Sequence, residues 1–193
     1  MPTVQVTEGM SFEANHVYVI PPNAYLTINK GVFELKEPIL EHGLRLPINS
    51  FFLSMAQYKE SKVIAIIVSG TGHDGSAGLS MIKGNCGLVM VQEPTTAKYE
   101  GMPCSAIETG LVDIVCPVEE MASHIVRFIE NKYIAGSENN AVTENSGDLD
   151  QLNSILALIL MRTGYDFRTY KPGTLSRRIG RRMGLKHIDS YTD

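Results

Sequence analysis

The chain has 193 residues, 44% of them hydrophobic, enough to bury one ordinary core with something left over. A formal net charge of −4 argues against a protein built mainly to neutralise nucleic-acid phosphates, which normally carries a basic surplus. The charge is unevenly spread: residues 1–149 hold 9 Lys+Arg against 17 Asp+Glu and residues 150–193 hold 8 against 4, balances of −8 and +4 that suggest two functions in one chain. The start, "MPTVQVTEGM", lacks a basic segment followed by an apolar core, and no apolar run approaches the ~18 residues of a membrane span, so a cytoplasmic protein without membrane insertion is expected. Cys86, Cys104 and Cys116 are odd in number and never form C-x-x-C, which predicts buried reduced thiols and no metal site.

"HVYVI" (16–20) reads as a strand stopped by Pro21, Pro22 and Asn23. "AYLTIN" and "VFELK", separated by Lys30 and Gly31, alternate as the two arms of a β-hairpin. Phe52, Met55 and Ala56 fall at helical spacing within 49–58, with Asn49 or Ser50 placed to cap that helix. Six unbroken apolar residues, Val63 to Val68, predict a strand covered on both faces in a parallel sheet. A helix over 76–83 follows, then a buried strand over 87–91. The next helix starts near Pro103 and ends at Gly110, and a third strand covers 112–115. The helix over 118–133 is predicted to turn Met121, Ile125, Phe128 and Ile129 to one face. Strands alternating with helices imply an α/β sheet. Residues 135–149, "AGSENNAVTENSGDL", are polar and aperiodic and read as a flexible linker. Beyond it a helix spaces Leu149, Leu152, Ile155, Leu156 and Ile159 on one face up to Gly164, and a second runs from Thr174, a suitable cap, through Ile179 and Met183.

Three readings compete for "VIAIIVSGTGHDGSAGL" (63–79). Gly70, Gly72 and Gly75 spell G-x-G-x-x-G between a buried strand and a helix, with Glu93 about twenty residues on, which is the dinucleotide fingerprint in its required context. Asp74 then sits where a pyrophosphate would bind, and the two negative charges repel. Alternatively, Asp74 caps the helix that follows. Third, lying at the carboxyl end of a parallel strand, Asp74 orients a catalytic histidine while nearby backbone N–H groups serve an oxyanion. His73, its neighbour in sequence, projects away from it and reads as a loop histidine.

The stretch "VIAIIVSGTGHDGSAGLSMIKGNCGLVMVQEPTTAKYEGMPCSAIETGLVDIV" resembles the catalytic domain of the chemotaxis receptor methylesterase, CheB-type, over roughly Val4 to Tyr133. "RLPINSFF" and the "SGTG" turn resemble especially the copies fused to a receptor methyltransferase. "ILALILMRTGYDFRTYKPGTLSRRIGRRMGLKHIDS" is similar to the helical N-terminal segment of that CheR-type methyltransferase. The resemblance implies a partial, doubly wound, mainly parallel α/β sheet over 1–133, a linker over 134–148, and a small all-α segment over 149–193. It also implies a serine hydrolase that cleaves glutamate methyl esters on chemoreceptors and deamidates receptor glutamines.

By resemblance Asp74 is the triad aspartate, Thr71 supplies a backbone N–H to the oxyanion hole, and Gly70, Gly72 and Gly75 shape the turn. The family's G-x-S-T-G-G nucleophile turn does not occur in this sequence, and none of His16, His42, His73, His124 and His187 has the family histidine's context. The first strands are therefore expected to be missing, the polypeptide alone is expected to be inactive, and serine and histidine are expected from a longer chain or a partner segment in trans. Cys104 stands where the family usually has arginine in G-M-P-R, and no histidine partners it as a nucleophile. Arg177, Arg178, Arg181 and Arg182 make two i, i+4 pairs that read as a solvated basic face; by resemblance they meet the glutamate-rich cytoplasmic helices of chemoreceptors. The S-adenosylmethionine site of the methyltransferase is expected beyond Asp193, so no cofactor is expected here. The remaining alternatives are a receptor-docking module without catalysis and a dinucleotide-binding domain.

Overall fold

A computed structural model describes residues 1–37, 45–58, 63–85, 87–130, 146–185, 188 and 191, leaving out the side chains of 146–149, 172, 177, 181 and 185. The chain divides into two compact units, Met1–Met121 and Ala122–Asp193.

In the first unit, β1 (Thr3–Gln5) and β2 (Val17–Val19) pair in parallel. β3 (Tyr25–Asn29) and β4 (Val32–Lys36) form the expected antiparallel hairpin, with Ile28 opposite Phe33. Its two-residue connection works because Lys30 (φ 47°) and Gly31 (φ 88°) both take the left-handed conformation, whose twist suits that of the arms. Alternation then places Leu26, Ile28 and Phe33 on a buried face with Val6.

The helix α1 (Pro47–Tyr58) lies against β3 and buries Asn49, Phe52 and Ala56. A parallel sheet follows in the order β5-β6-β7, from β5 (Ile64–Ile67), β6 (Leu88–Gln92) and β7 (Ile114–Cys116). The connections carry α2 (Leu79–Gly84) and α3 (Gly101–Glu108), as expected of βαβ units. Central β6 is buried along its whole length, Leu88, Val89, Met90 and Val91 being 0% exposed, each worth about 1.5–3 kcal/mol against solvent. Covering of β5 on both faces is not observed. Ala65 and Ile67 join the core with Leu79, Ile82 and Val91, while Ile66 and Val68, which alternation turns to the other face, are exposed because that face is left uncovered among the described residues.

Several boundaries shift. α2 starts at Leu79 rather than residue 76, since Asp74–Gly78 is a turn engaged elsewhere in the fold. α3 starts at Gly101, two residues before Pro103, and the third strand is Ile114–Cys116 rather than 112–115. Asp113, just before it, is pinned by the Lys83 ammonium and by the N–H of Val89. The free thiol Cys104 is half-buried rather than buried, while Cys116 is buried; Cys86 lies outside the described residues. Burial pushes the Cys116 thiol pKa up, and Glu120 and Glu93 add to the shift by disfavouring the thiolate. α4 (Val118–Glu130) buries Met121 and Phe128 and half-buries Ile125, but Ile129 is exposed, so the predicted face is narrower by one residue.

In the second unit, α5 (Ser146–Thr163) and α6 (Pro172–Leu185) pack Leu152 and Leu156 against Leu175, with Phe167 and Ile179 beside them. Gly164 (φ 75°) ends α5, its N–H donating to the carbonyl of Leu160. Thr174 is not the cap of α6, which already begins at Pro172, where proline's fixed φ suits a first turn. In the connection, Asp166 accepts bonds from the Arg168 main chain and guanidinium. Those bonds hold the Asp166 carboxyl down at about 2. Residues 135–145 of the predicted linker lie outside the described residues, and 146–149 already belong to α5, so the linker ends earlier than expected.

Candidate active-site turn

Parallel α/β sheets place their sites beyond the carboxyl ends of their strands. Here that position, after β5, is Ser69–Gly75. Interior hydrogen bonds fix the turn's entry: the Ser69 N–H donates to Gln92 Oε1 at 2.8 Å, and the Gln92 amide donates to the Thr96 carbonyl. Ser69 Oγ accepts the Tyr99 N–H, the Gly70 N–H donates to the Tyr99 carbonyl, and the Met102 N–H donates to the Gly70 carbonyl. The start of α3 is thereby laid along the turn. A Cβ on Gly101 would come to 3.0 Å from the Gly72 nitrogen and press on the main chain of the turn, so glycine suits that approach.

These contacts count against the dinucleotide reading. The close approach permitted by Gly70 is to the side chain of Met102 rather than to a ligand, while the exposed Gly72 lies beside Gly101 of α3. The six-residue α2 starts at Leu79, four residues past Gly75, with Gly78 rather than Asp74 at its N-cap.

Asp74 is half-buried and does not cap the helix that follows it. Its Oδ2 accepts the Ile48 N–H at 2.9 Å and its Oδ1 accepts the Asn49 N–H at 3.0 Å, capping α1, an element 25 residues earlier in the chain. Nor do Asn49 and Ser50 cap α1 as expected from their position. Asn49 Oδ1 instead accepts the N–H groups of Gly75 and Gly78, both at 3.0 Å. The negative carboxylate is stabilised by the free N–H groups and dipole of the α1 amino terminus. Each carboxylate oxygen keeps capacity for a further donor.

Thr71 and His73 are exposed, and among the described residues none accepts the Thr71 N–H. Among the described residues no histidine hydrogen-bonds Asp74. His16 lines an apolar cavity of about 500 Å³ with Tyr18, Leu26 and Phe51, and His124 lies on α4; His42 and His187 fall outside the described residues. Cys104 is on the first turn of α3, its N–H donating to the Glu100 carbonyl. Arg178 and Arg182 are exposed on α6; Arg177 and Arg181 lie on the same helix, their side chains outside the description. Among the described residues no group of three His, Cys, Asp or Glu could hold a metal ion, and no helix is long and apolar enough to cross a membrane. Missed from sequence were Asn49, whose work is done away from its own helix, and Gln92, the polar residue that closes a buried strand.

A parallel α/β unit with a helix-capping aspartate in a glycine turn at a strand's carboxyl end, followed by an all-α unit, defines a two-part α/β and all-α chain. Residues 1–125 match the CheB methylesterase family and residues 150–193 match the CheR methyltransferase all-alpha domain, so the chain belongs to the CheB methylesterase family and carries a CheR-type helical segment. An uncharacterized 104.1 kDa protein of Rhodobacter capsulatus is 35% identical over all of this chain and 22% of its own length. A protein-glutamate methylesterase/protein-glutamine glutaminase of Clostridium acetobutylicum is 32% identical over 65% of this chain and 36% of its own length. The putative enzyme of the same name from Leptospira interrogans is 36% identical over 66% of each. The chain thus spans between about a fifth and two thirds of these relatives. The crystal structure of the Thermotoga maritima CheB methylesterase catalytic domain superposes with a TM-score of 0.59 at 28% identity, over 63% of this chain and 67% of that one. The mainly parallel α/β fold with a helical C-terminal segment, expected from sequence, is thereby established.

Proposed function

We propose that this chain carries the orienting acid and oxyanion turn of a protein-glutamate methylesterase acting on chemoreceptors, joined to the receptor-binding start of a methyltransferase, and that it works in the cytoplasm. The observation that carries this reading is the Asp74 carboxylate, held on both oxygens at the mouth of a parallel strand, three residues from the exposed Thr71 backbone. The parts divide as residues 1–133, a linker over 134–145 and a helical segment that begins at Ser146, three residues before the expected 149.

In this reading a serine hydroxyl attacks the glutamyl ester carbonyl and an imidazole takes its proton. The Thr71 N–H receives the developing oxyanion, and the imidazolium returns the proton to the departing methoxide, releasing methanol. Water then hydrolyses the acyl-serine by the same route; with a glutamine side chain the leaving group is ammonia. Asp74 fixes the imidazole tautomer and stabilises its charged form. Serine and histidine come from a segment bearing the G-x-S-T-G-G turn, in the same polypeptide or in trans. Turnover of methylated receptor by the assembled enzyme tests this: Asp74→Asn is expected to reduce kcat on the order of 10⁴-fold, as a triad aspartate does. Unchanged kcat rejects the assignment.

A docking role is supported by Arg178 and Arg182, exposed at i, i+4 spacing on α6. Opposite charge would steer such a helix to glutamate-rich receptor helices. Changing all four arginines (177, 178, 181 and 182) to glutamate should abolish co-precipitation with receptor cytoplasmic helices at low salt; retained binding counts against that surface.

A further inference from the structure

We propose that Asn49 is the positioning residue of this site, locking the glycine turn to the first turn of α1 so that the Asp74 carboxylate takes one orientation. The proposal rests on the reading of Asp74 as the orienting acid. Four hydrogen bonds cross between the two segments, and Asn49 takes part in three. Its main-chain N–H donates to Asp74 Oδ1, and its side-chain oxygen accepts the N–H of Gly75 and of Gly78. The fourth runs from the Ile48 N–H to Asp74 Oδ2.

The direction of these bonds matters. A carboxylate gripped on each oxygen by a separate N–H has its torsions fixed, but only relative to the element that owns the donors. Those donors belong to α1, whereas Asp74 belongs to the turn. Orientation within the site therefore requires that α1 be tied to the turn independently of Asp74, and the Asn49 side chain makes that tie. Asn49 is 8% exposed and the two glycines it serves are buried, so water does not readily replace it. Its chemistry also fits: an amide oxygen accepts two N–H groups without setting a second anion beside Asp74, while leucine matches its size but accepts nothing. A displacement of about 1 Å at such a position costs on the order of 10² in rate.

The test is amide hydrogen exchange, read by NMR on the 193-residue chain, for Asn49→Leu and Asn49→Asp. The informative amide is Ile48, whose acceptor is Asp74 and not residue 49. In Asn49→Leu its exchange should accelerate about tenfold or more, while the Val91 amide in β6 keeps its protection; a tenfold change corresponds to loss of about one net hydrogen bond. Asn49→Asp, which retains the acceptor but sets a second anion beside Asp74, should restore protection at Ile48 in part. Unchanged protection at Ile48 in Asn49→Leu overturns the proposal, as does equal loss at Ile48 and Val91 that the aspartate variant fails to restore, since that marks a merely structural role. If the leucine variant does not fold, Asn49→Ser is read by the same criteria. None of these readouts needs ester hydrolysis, so failure of the clamp is distinguishable from failure of the triad assignment, which the Asp74→Asn turnover decides.

Discussion

Two glycines of the site turn separate backbone strain from crowding. Gly72 (φ 84°) and Gly75 (φ 98°) both lie in the left-handed region, so alanine at either should cost about 1–2 kcal/mol in conformational terms. Their surroundings differ. At Gly72 a Cβ meets nothing within 4 Å, whereas at Gly75 it comes within 3.0 Å of Ile48 Cγ2 and 3.1 Å of Ile67 Cδ1. Ile67 is 1% exposed and Ile48 packs against the same core, so neither yields freely, and overpacking adds roughly 1–3 kcal/mol. Gly75→Ala should therefore destabilise the first unit by roughly 2–5 kcal/mol in all and Gly72→Ala by about 1–2. Urea titration followed through methyl resonances of Val91 and Ile67 measures both. Equal losses in the two variants would refute the packing described around Asp74, because Ile48 is also the residue whose N–H holds that carboxylate.

Lys83→Met removes the ammonium paired with the Asp113 carboxylate, which is 5% exposed. The expected loss is about 3 kcal/mol, softened by the Val89 N–H that Asp113 also accepts, and a change within about 0.5 kcal/mol in urea unfolding would contradict it. At pH 8, iodoacetamide should label Cys104 in the native protein and spare Cys116 until unfolding, since burial and two neighbouring carboxylates disfavour the Cys116 thiolate; mass spectrometry of native labelling that shows Cys116 modified first refutes this. The Asp166–Arg168 fork has a depressed carboxyl, so its contribution is complete above the ordinary carboxylate value of 3.8 and is lost as pH falls through about 2. The Asp166 carboxyl carbon resonance should accordingly titrate at about 2; a midpoint at the ordinary value of 3.8 would show that the fork does not form.

The hairpin was legible because local chemistry decides it: Lys30-Gly31 is a turn of two left-handed residues between arms whose alternation buries Leu26, Ile28 and Phe33. Strand β6 was legible for the same reason, an apolar run bounded by Gly87 and Glu93. The run through β5 looked equivalent, yet Ile66 and Val68 are exposed, since composition describes a strand and not the layers beside it. The position of Asp74 in a strand-to-helix turn was readable, and its capping character was too. Which helix it caps was not, because Ile48 and Asn49 lie about 25 residues earlier and are brought to it only by the packing of α1. Asn49 failed in the mirror sense: a residue that looks like a local cap spends its side chain on Gly75 and Gly78. Residue type announced the hydrogen bonds, but tertiary structure chose the partners.

The most direct measurement of the account is methanol release from methylated chemoreceptor. The 193-residue chain alone should release none above background, and supplying a polypeptide that bears the serine and histidine should restore release that Asp74→Asn abolishes. Methanol production by the unassisted chain, or restored activity indifferent to Asp74→Asn, would contradict it.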